Sequence, residues 1–141
     1  MKSVNTRDLV GAALDWAVAM CEGLEPTITE GRRIWIGSKR PFDPSVSWAD
    51  AGPIIAREAI GIRRHAGSHL WFAMRSADMG NGQTVDWAEH TVSGGKRYGG
   101  HSYQVHKRQQ RFDGHTALIA AMRCWVGTKL GPTVEVPAVL I

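Results

Sequence analysis

Hydrophobic positions along this chain change their spacing several times, and each change marks an element. Leu9, Ala13, Trp16 and Met20 recur at intervals of four, three and four, which is one face of a helix. Asn5 is placed to cap that helix, Asp8 suits the positive end of its dipole, and Gly23 ends it. Asp15 and Glu22 fall off the stripe, and Trp16 on it reads as core. The period then drops to two. In "RRIWIG", residues 32–37, Ile34 and Ile36 share one strand face, with Arg33 and Trp35 on the other. "IGIRRH", 60–65, predicts another strand, and "HLWFAMR", 69–75, the clearest one. There Leu70, Phe72 and Met74 form an apolar face, while His69, Trp71, Ala73 and Arg75 share the opposite face. From about 116 to 130 the pattern is apolar on most sides, through Leu118, Ile119, Met122, Trp125, Val126 and Leu130. Such a helix lies deep against a sheet, with Gly127 permitting close approach and Gly131 ending it. The closing "VEVPAVLI" is apolar enough to dock rather than hang free.

Two stretches break the rhythm. "PSVSWADAGPIIAREAI", residues 44–60, starts a helix at Ser47 and then meets Gly52-Pro53. Proline is comfortable at a first helical position, so the pattern predicts one turn from Ser47 and a short second helix from Pro53. Residues 76–100 carry many glycines around the strand-compatible "TVDWAEHTV", and Tyr103 alternates with Val105 after them, which predicts a hairpin across 84–108. The expected fold class is α+β: a single small domain over 1–141, with an antiparallel or mixed sheet packed against N-terminal and C-terminal helices. A Gly-rich, basic hairpin or loop region occupies about 76–111.

Composition agrees with this picture. A chain of 141 residues with 43% hydrophobic and 21% charged content buries a core without disulfides or metal. No apolar run approaches the roughly 20 residues of a membrane helix, and "MKSVNTRDLV" is too polar for a secretory signal. A life in the cytosol, away from membranes, is expected. Cys21 and Cys124 fall in apolar helical patterns and read as small buried hydrophobes. Charge changes the picture locally. "KRYGGHSYQVHKRQQR", 96–111, holds five Lys or Arg and no acid; without those five, 12 of the 17 basic residues remain against 13 acids. Lys96, Arg97, Tyr103, Lys107 and Arg108 are therefore candidate phosphate or nucleic-acid contacts. A solvated basic hairpin is the alternative.

Catalytic patterns are missing. The chain has no P-loop, no G-x-G-x-x-G after a strand, no nucleophile elbow and no HExxH, so neither an enzyme nor a bound cofactor is expected. His65 and His69 are four apart, but Gly67 between them argues against a shared helical face and a metal site. The residues suited to a ligand are Trp48, Arg57, Trp71, Arg75 and Arg123, because aromatic rings stack on bases and arginines pair with phosphate. Each has a structural alternative. Trp71 and Arg75 fit a helix-covered sheet face, with the ring in the core and the guanidinium at the edge. Arg57 and Glu58 are neighbours that point apart on a helix, one pairing inward and the other facing solvent. A buried Arg123 needs an Asp or Glu partner, or else an anionic ligand.

Three blocks together resemble a family. "GAALDWAVAMCEG" at 11–23, "SWADAGPIIAREAIGI" at 47–62 and "GHTALIAAMRCWVGTKLG" at 114–131 are similar to the small phage and prophage NinX-like proteins. Trp48, Ala49, Gly52, Pro53, Ile54, Ile55, Arg57 and Glu58 carry the middle block, and Gly114, Thr116, Leu118 to Met122 and Arg123 the last. His115 and Ala117 stand where the family's pattern has prolines. The blocks span about a third of the chain and leave residues 76–111 without a counterpart. The resemblance implies a phage origin and an intracellular life, and no activity.

Three functions follow as expectations. The first is a non-enzymatic binder of a nucleotide-like small molecule, including as a homo-oligomer, that counters host defence. The second is a nucleic-acid-binding accessory factor, suggested by the basic stretch and by the association of the phage nin region with recombination. The third is an inhibitor that binds a host protein.

Overall fold

The computed structural model describes residues 1–38, 40–75 and 110–141. From the N-terminus, β1 (Lys2–Asn5) leads through a 3-10 turn (Thr6–Asp8) into α1 (Gly11–Cys21). Three short strands follow, β2 (Pro26–Ile28), β3 (Ile34–Ile36) and β4 (Arg40–Pro41), then α2 (Trp48–Arg57). Next come β5 (Ile60–Arg64), β6 (Trp71–Arg75), β7 (Phe112–Gly114), α3 (Ala117–Leu130), β8 (Thr133–Val136) and a closing 3-10 turn (Ala138–Leu140). Among the described residues the strands make three small antiparallel sheets, β1–β8, β2–β3–β4 and β5–β6–β7. The fold is the expected mixture of helices and antiparallel strands. The hairpin expected across 84–108 lies outside the described residues.

The centre of the core is α3. Ala120, Ala121, Met122, Cys124 and Val126 are fully buried, facing α1 on one side and the β5–β6–β7 sheet on the other. Small residues set that spacing. A Cβ on Gly127 would meet the Phe112 ring of β7, and one on Gly114 would lie 2.6 Å from the Ala120 nitrogen. Ala73, fully buried on β6, completes the close approach. Cross-strand register puts Ile62 and Phe112 beside Ala73, so the face turned to α3 is that of Trp71, Ala73 and Arg75. Phe72 and Met74, the more apolar set by sequence, lie on the outer face. Trp71 is half-buried against the core, which is its helix-covered alternative. Cys21 and Cys124 are both buried without a disulfide, and burial pushes the Cys21 thiol up to about 12.

Local signals misplace two helix starts. Asn5 does not cap α1: its backbone pairs with Thr133 of β8, and its side chain bonds Asp8 at 3.3 Å. The chain stays extended at Leu9 and Val10 and turns into α1 at Gly11, where φ is +52°. Pairing with a strand at the far end of the sequence thus overrides a local cap. Gly23 does end the helix, at φ +67°, with Leu24 N–H donating to the Ala19 carbonyl at 3.0 Å. In α2, Ser47 caps as expected, its Oγ accepting from Asp50 N–H at 3.4 Å, but the helix does not restart at Pro53. It runs unbroken because Pro53 faces solvent, where the one missing hydrogen bond costs least.

Candidate ligand site

Two of the expected ligand arginines meet on one tryptophan. Arg57, in the last turn of α2, donates from Nη2 to Glu22 at 2.6 Å and from Nε to Glu58 at 3.0 Å. Arg75, at the end of β6, donates from Nη2 to Glu58 Oε1 and from Nε to the Glu58 carbonyl at 3.4 Å. Their guanidinium carbons lie 5.7 and 4.9 Å from the centre of the Trp125 ring, and Lys129 Nζ lies 5.8 Å from it. Arg57 and Glu58 do not part as neighbours on a helix would. Glu58 is the C-cap, past the last helical turn, so both side chains swing to one side.

The charges of this cluster are already matched. Burial alone would raise the Glu58 pKa, but the hydrogen bonds and charges of Arg57 and Arg75 outweigh it and hold the carboxyl below its usual range. Bonds to Glu22 and Glu58 likewise raise Arg57 above its ordinary value. A ligand anion here would have to displace a carboxylate. The arrangement instead links the end of α1, the end of α2, β6 and α3. Glu22, Trp125 and Lys129 are not among the expected ligand residues, since spacing gives no sign that these distant segments meet.

Arg123 is also spent within the fold. Its Nε donates to the Leu9 carbonyl at 2.8 Å and its Nη1 to the Asp113 carbonyl at 2.9 Å. The partners are therefore backbone carbonyls rather than the expected carboxylate side chain. The extended segment before α1 and strand β7 each bring an acceptor to it. Desolvation lowers its pKa, with Asp8 and Asp113 partly opposing.

Trp48 stands elsewhere. It opens α2 and Arg57 closes it, about 13 Å apart along the axis at ~1.5 Å per residue. The Trp48 side chain is 59% exposed and borders a hollow of about 250 Å³ lined also by Ser45, Val46, Thr116, Ala117 and Leu118. Two helices, α2 and α3, begin at this hollow. Thr116 Oγ1 accepts the Ile119 N–H at 3.1 Å, and the amides of Ala117 and Leu118 before it have no carbonyl partner inside the helix. No acid sits in the first turn of α3, so its positive end is uncompensated there. In α2 that end is offset by Asp50, whose carboxylate accepts from Arg40 at 2.5 Å and from Asp43 N–H at 3.1 Å.

Beneath the hollow is a residue that the apolar stripe left out. Asp15 of α1 is 5% exposed, and its two oxygens accept from Ser45 N–H at 2.8 Å and Ser45 Oγ at 3.1 Å. Burial raises its pKa to about 7, against the lowering effect of the Ser45 bonds and with added repulsion from Asp43 and Asp50. This pair fixes the loop that leads into α2 and Trp48. The available signal was a lone carboxylate inside the apolar run "LDWAVAM".

The expected ligand residues thus divide. Arg57 and Arg75 share Trp125, Arg123 is inside the fold, Trp71 packs on the core, and Trp48 borders an open hollow. Lys96, Arg97, Tyr103, Lys107 and Arg108 lie outside the described residues.

No curated protein matches this chain. The family profile described as Bacteriophage P22, NinX matches residues 5–93. That stretch contains the first two blocks of the resemblance, with Trp48, Arg57, Trp71 and Arg75, and ends before α3 and Arg123. It also continues past β6 into 76–93, part of the stretch 76–111 that the resemblance left without a counterpart. Since the match spans well over half of the 141 residues, the chain belongs to the Bacteriophage P22 NinX family.

Proposed function

We propose that this phage protein is a non-enzymatic binder of a nucleotide-like small molecule, held at the Trp48 hollow and sequestered from the host. The observation that supports this reading is one exposed tryptophan beside the uncompensated N-terminus of a 14-residue helix. A helix N-terminus favours an anionic group through free amides and dipole, and an indole face stacks on a flat ring. A nucleotide carries both. At about 250 Å³ the hollow is smaller than the roughly 300–1,000 Å³ of a drug-sized pocket, so it takes the phosphate while the base rests on Trp48 outside it. Binding of a nucleotide signal in the host cytosol would suit a protein that counters defence.

Calorimetry against cyclic nucleotides and ADP-ribose derivatives tests the proposal. We expect saturable binding by at least one member of the panel, weakened about tenfold or more in Trp48→Ala, the scale of one lost base–aromatic stack. The exposed position of Trp48 means that the variant keeps its fold. Absence of heat across the panel at high micromolar concentration, or unchanged affinity in Trp48→Ala, would overturn it.

A further inference from the structure

Most described arginines are committed to partners within the protein. Arg33, Arg40, Arg57, Arg75 and Arg111 each pair with a carboxylate, Arg7 donates to the Arg111 carbonyl, and Arg123 donates to two carbonyls. The side chains of Arg63 and Arg64, like that of the isolated Arg32, differ: they are exposed, and none has a hydrogen bond or ion pair among the described residues, but Arg63 and Arg64 stand side by side at the end of β5. They stand where β5 turns into β6. A hollow of about 450 Å³ opens at that turn, lined by Arg64, His65, Ala66, Gly67, Ser68 and His69, with no carboxylate among them. His65 Nδ1 lies 3.1 Å from the Ala66 carbonyl, which can only accept, so Nδ1 carries the proton and Nε2 is turned away from that bond.

Aromatic rings adjoin Arg63 on the outer face of the sheet, while Arg64, opposite Trp71, projects from the other face at the turn. Register places Arg63 opposite Phe72, and the His65 ring meets Phe72 edge-on at 6.1 Å. From β7's side, the Arg111 guanidinium lies 5.1 Å from the centre of the same Phe72 ring. Two guanidinium groups without partners among the described residues, two imidazoles and an aromatic ring therefore share one hairpin, and the carboxylate opposite Phe72, Asp113, is already paired with Arg111 at 3.4 Å. Unpaired positive charge attracts a chain of phosphates, and π-faces next to it reward bases that are not already stacked inside a duplex.

We propose that the β5–β6 hairpin is a docking surface for single-stranded nucleic acid. Arg63, Arg64 and the histidines of the turn take the phosphates, and Phe72 with His65 supplies the ring surface for a base. This site shares no lining residue with the Trp48 hollow, and it stands whether or not a nucleotide binds at Trp48.

Fluorescence anisotropy with a labelled mixed-sequence DNA strand, alone and annealed to its complement, tests it across a salt titration. The intact protein should bind the single strand more tightly than the duplex, with affinity falling as salt rises. The double variant Arg63→Gln/Arg64→Gln should bind about tenfold or more weakly, with the log–log salt slope reduced by about 1.4 for two lost phosphate contacts at ~0.7 each. Arg63→Lys/Arg64→Lys keeps the charge and should retain most of the slope. Lys2→Gln/Arg32→Gln removes as much charge from exposed positions elsewhere and should change little, and Trp48→Ala should not weaken the strand. Any of three results would sink the proposal: no binding at low salt, preference for the duplex, or equal losses in the two charge-removing variants.

Discussion

At the scale of one residue, Asp15 is where chemistry and stability are most tightly joined. Its carboxyl group is buried on Ser45, and its pKa rises from 3.8 in a free chain to about 7. Between those values the folded protein keeps a proton that the unfolded chain has released. The native state then binds more protons, so its stability falls as pH rises through this window. The full benefit is present below the unfolded value and is gone above about pH 7. A shift of this size sets a ceiling of about 4 kcal/mol, at ~1.4 kcal/mol per pH unit. Glu58 acts in the other direction: its pKa is lowered, so its contribution is lost on acidification through the folded value. We expect Asp15→Asn, whose amide can serve both Ser45 groups without charge, to flatten stability across mildly acidic to neutral pH. Urea unfolding at several pH values reads this directly. Parallel curves for the variant and the parent protein would show that Asp15 is already ionised in the fold.

At the scale of an element, α3 and its sheet depend on what is missing from Gly127 and Gly114. A methyl on Gly127 enters the space of the Phe112 ring, which is itself buried. Alanine favours a helix by ~1 kcal/mol over glycine, but overpacking costs about 1–3 kcal/mol, so the clash wins. Gly127→Ala should therefore lower the urea midpoint, and Gly114→Ala should lower it further, because there the obstacle is the Ala120 backbone. A gain in stability for Gly127→Ala would mean that helix and strand are packed less closely. This close approach was legible in the sequence, since a glycine inside an apolar helix has few other uses. So were Ser47 as a cap, strands β3, β5 and β6, and the stop at Gly131, all of which arise from short-range rules. What local pattern could not give is pairing at a distance. Nothing in "KSVN" marks β1, and the first turn of α1 yields to the strand that Asn5 joins. The candidate site has the same limit. Trp48 was legible as an aromatic after a cap, but the hollow beside it is half made by Thr116, Ala117 and Leu118, far along the chain.

For the whole molecule, the pairing of β1 with β8 has the widest consequence. Lys2 sits opposite Val136 and Asn5 opposite Thr133, while Thr6 donates from its N–H to Pro132 and from its hydroxyl to Gly131. The side chains of β1 are mostly exposed, so the ribbon is held to the core chiefly through Val134 and Val136 of β8. Val136 is fully buried. The first strand therefore owes its order to apolar contacts made by the last one. Truncating Val136 to alanine removes buried methyl groups and should cost about 2 kcal/mol, the lower end of large-to-small changes in a core. The cost should not be spread evenly. Amides of β1 should lose hydrogen-exchange protection together with those of β8, because neither strand has another neighbour among the described residues. Amides of β6, paired on both sides and covered by α3, should lose less. Exchange measured strand by strand distinguishes this from its opposite. If Val136→Ala loosens β8 while β1 stays protected, the N-terminal strand is anchored by something other than the ribbon, and the two ends of the fold are independent.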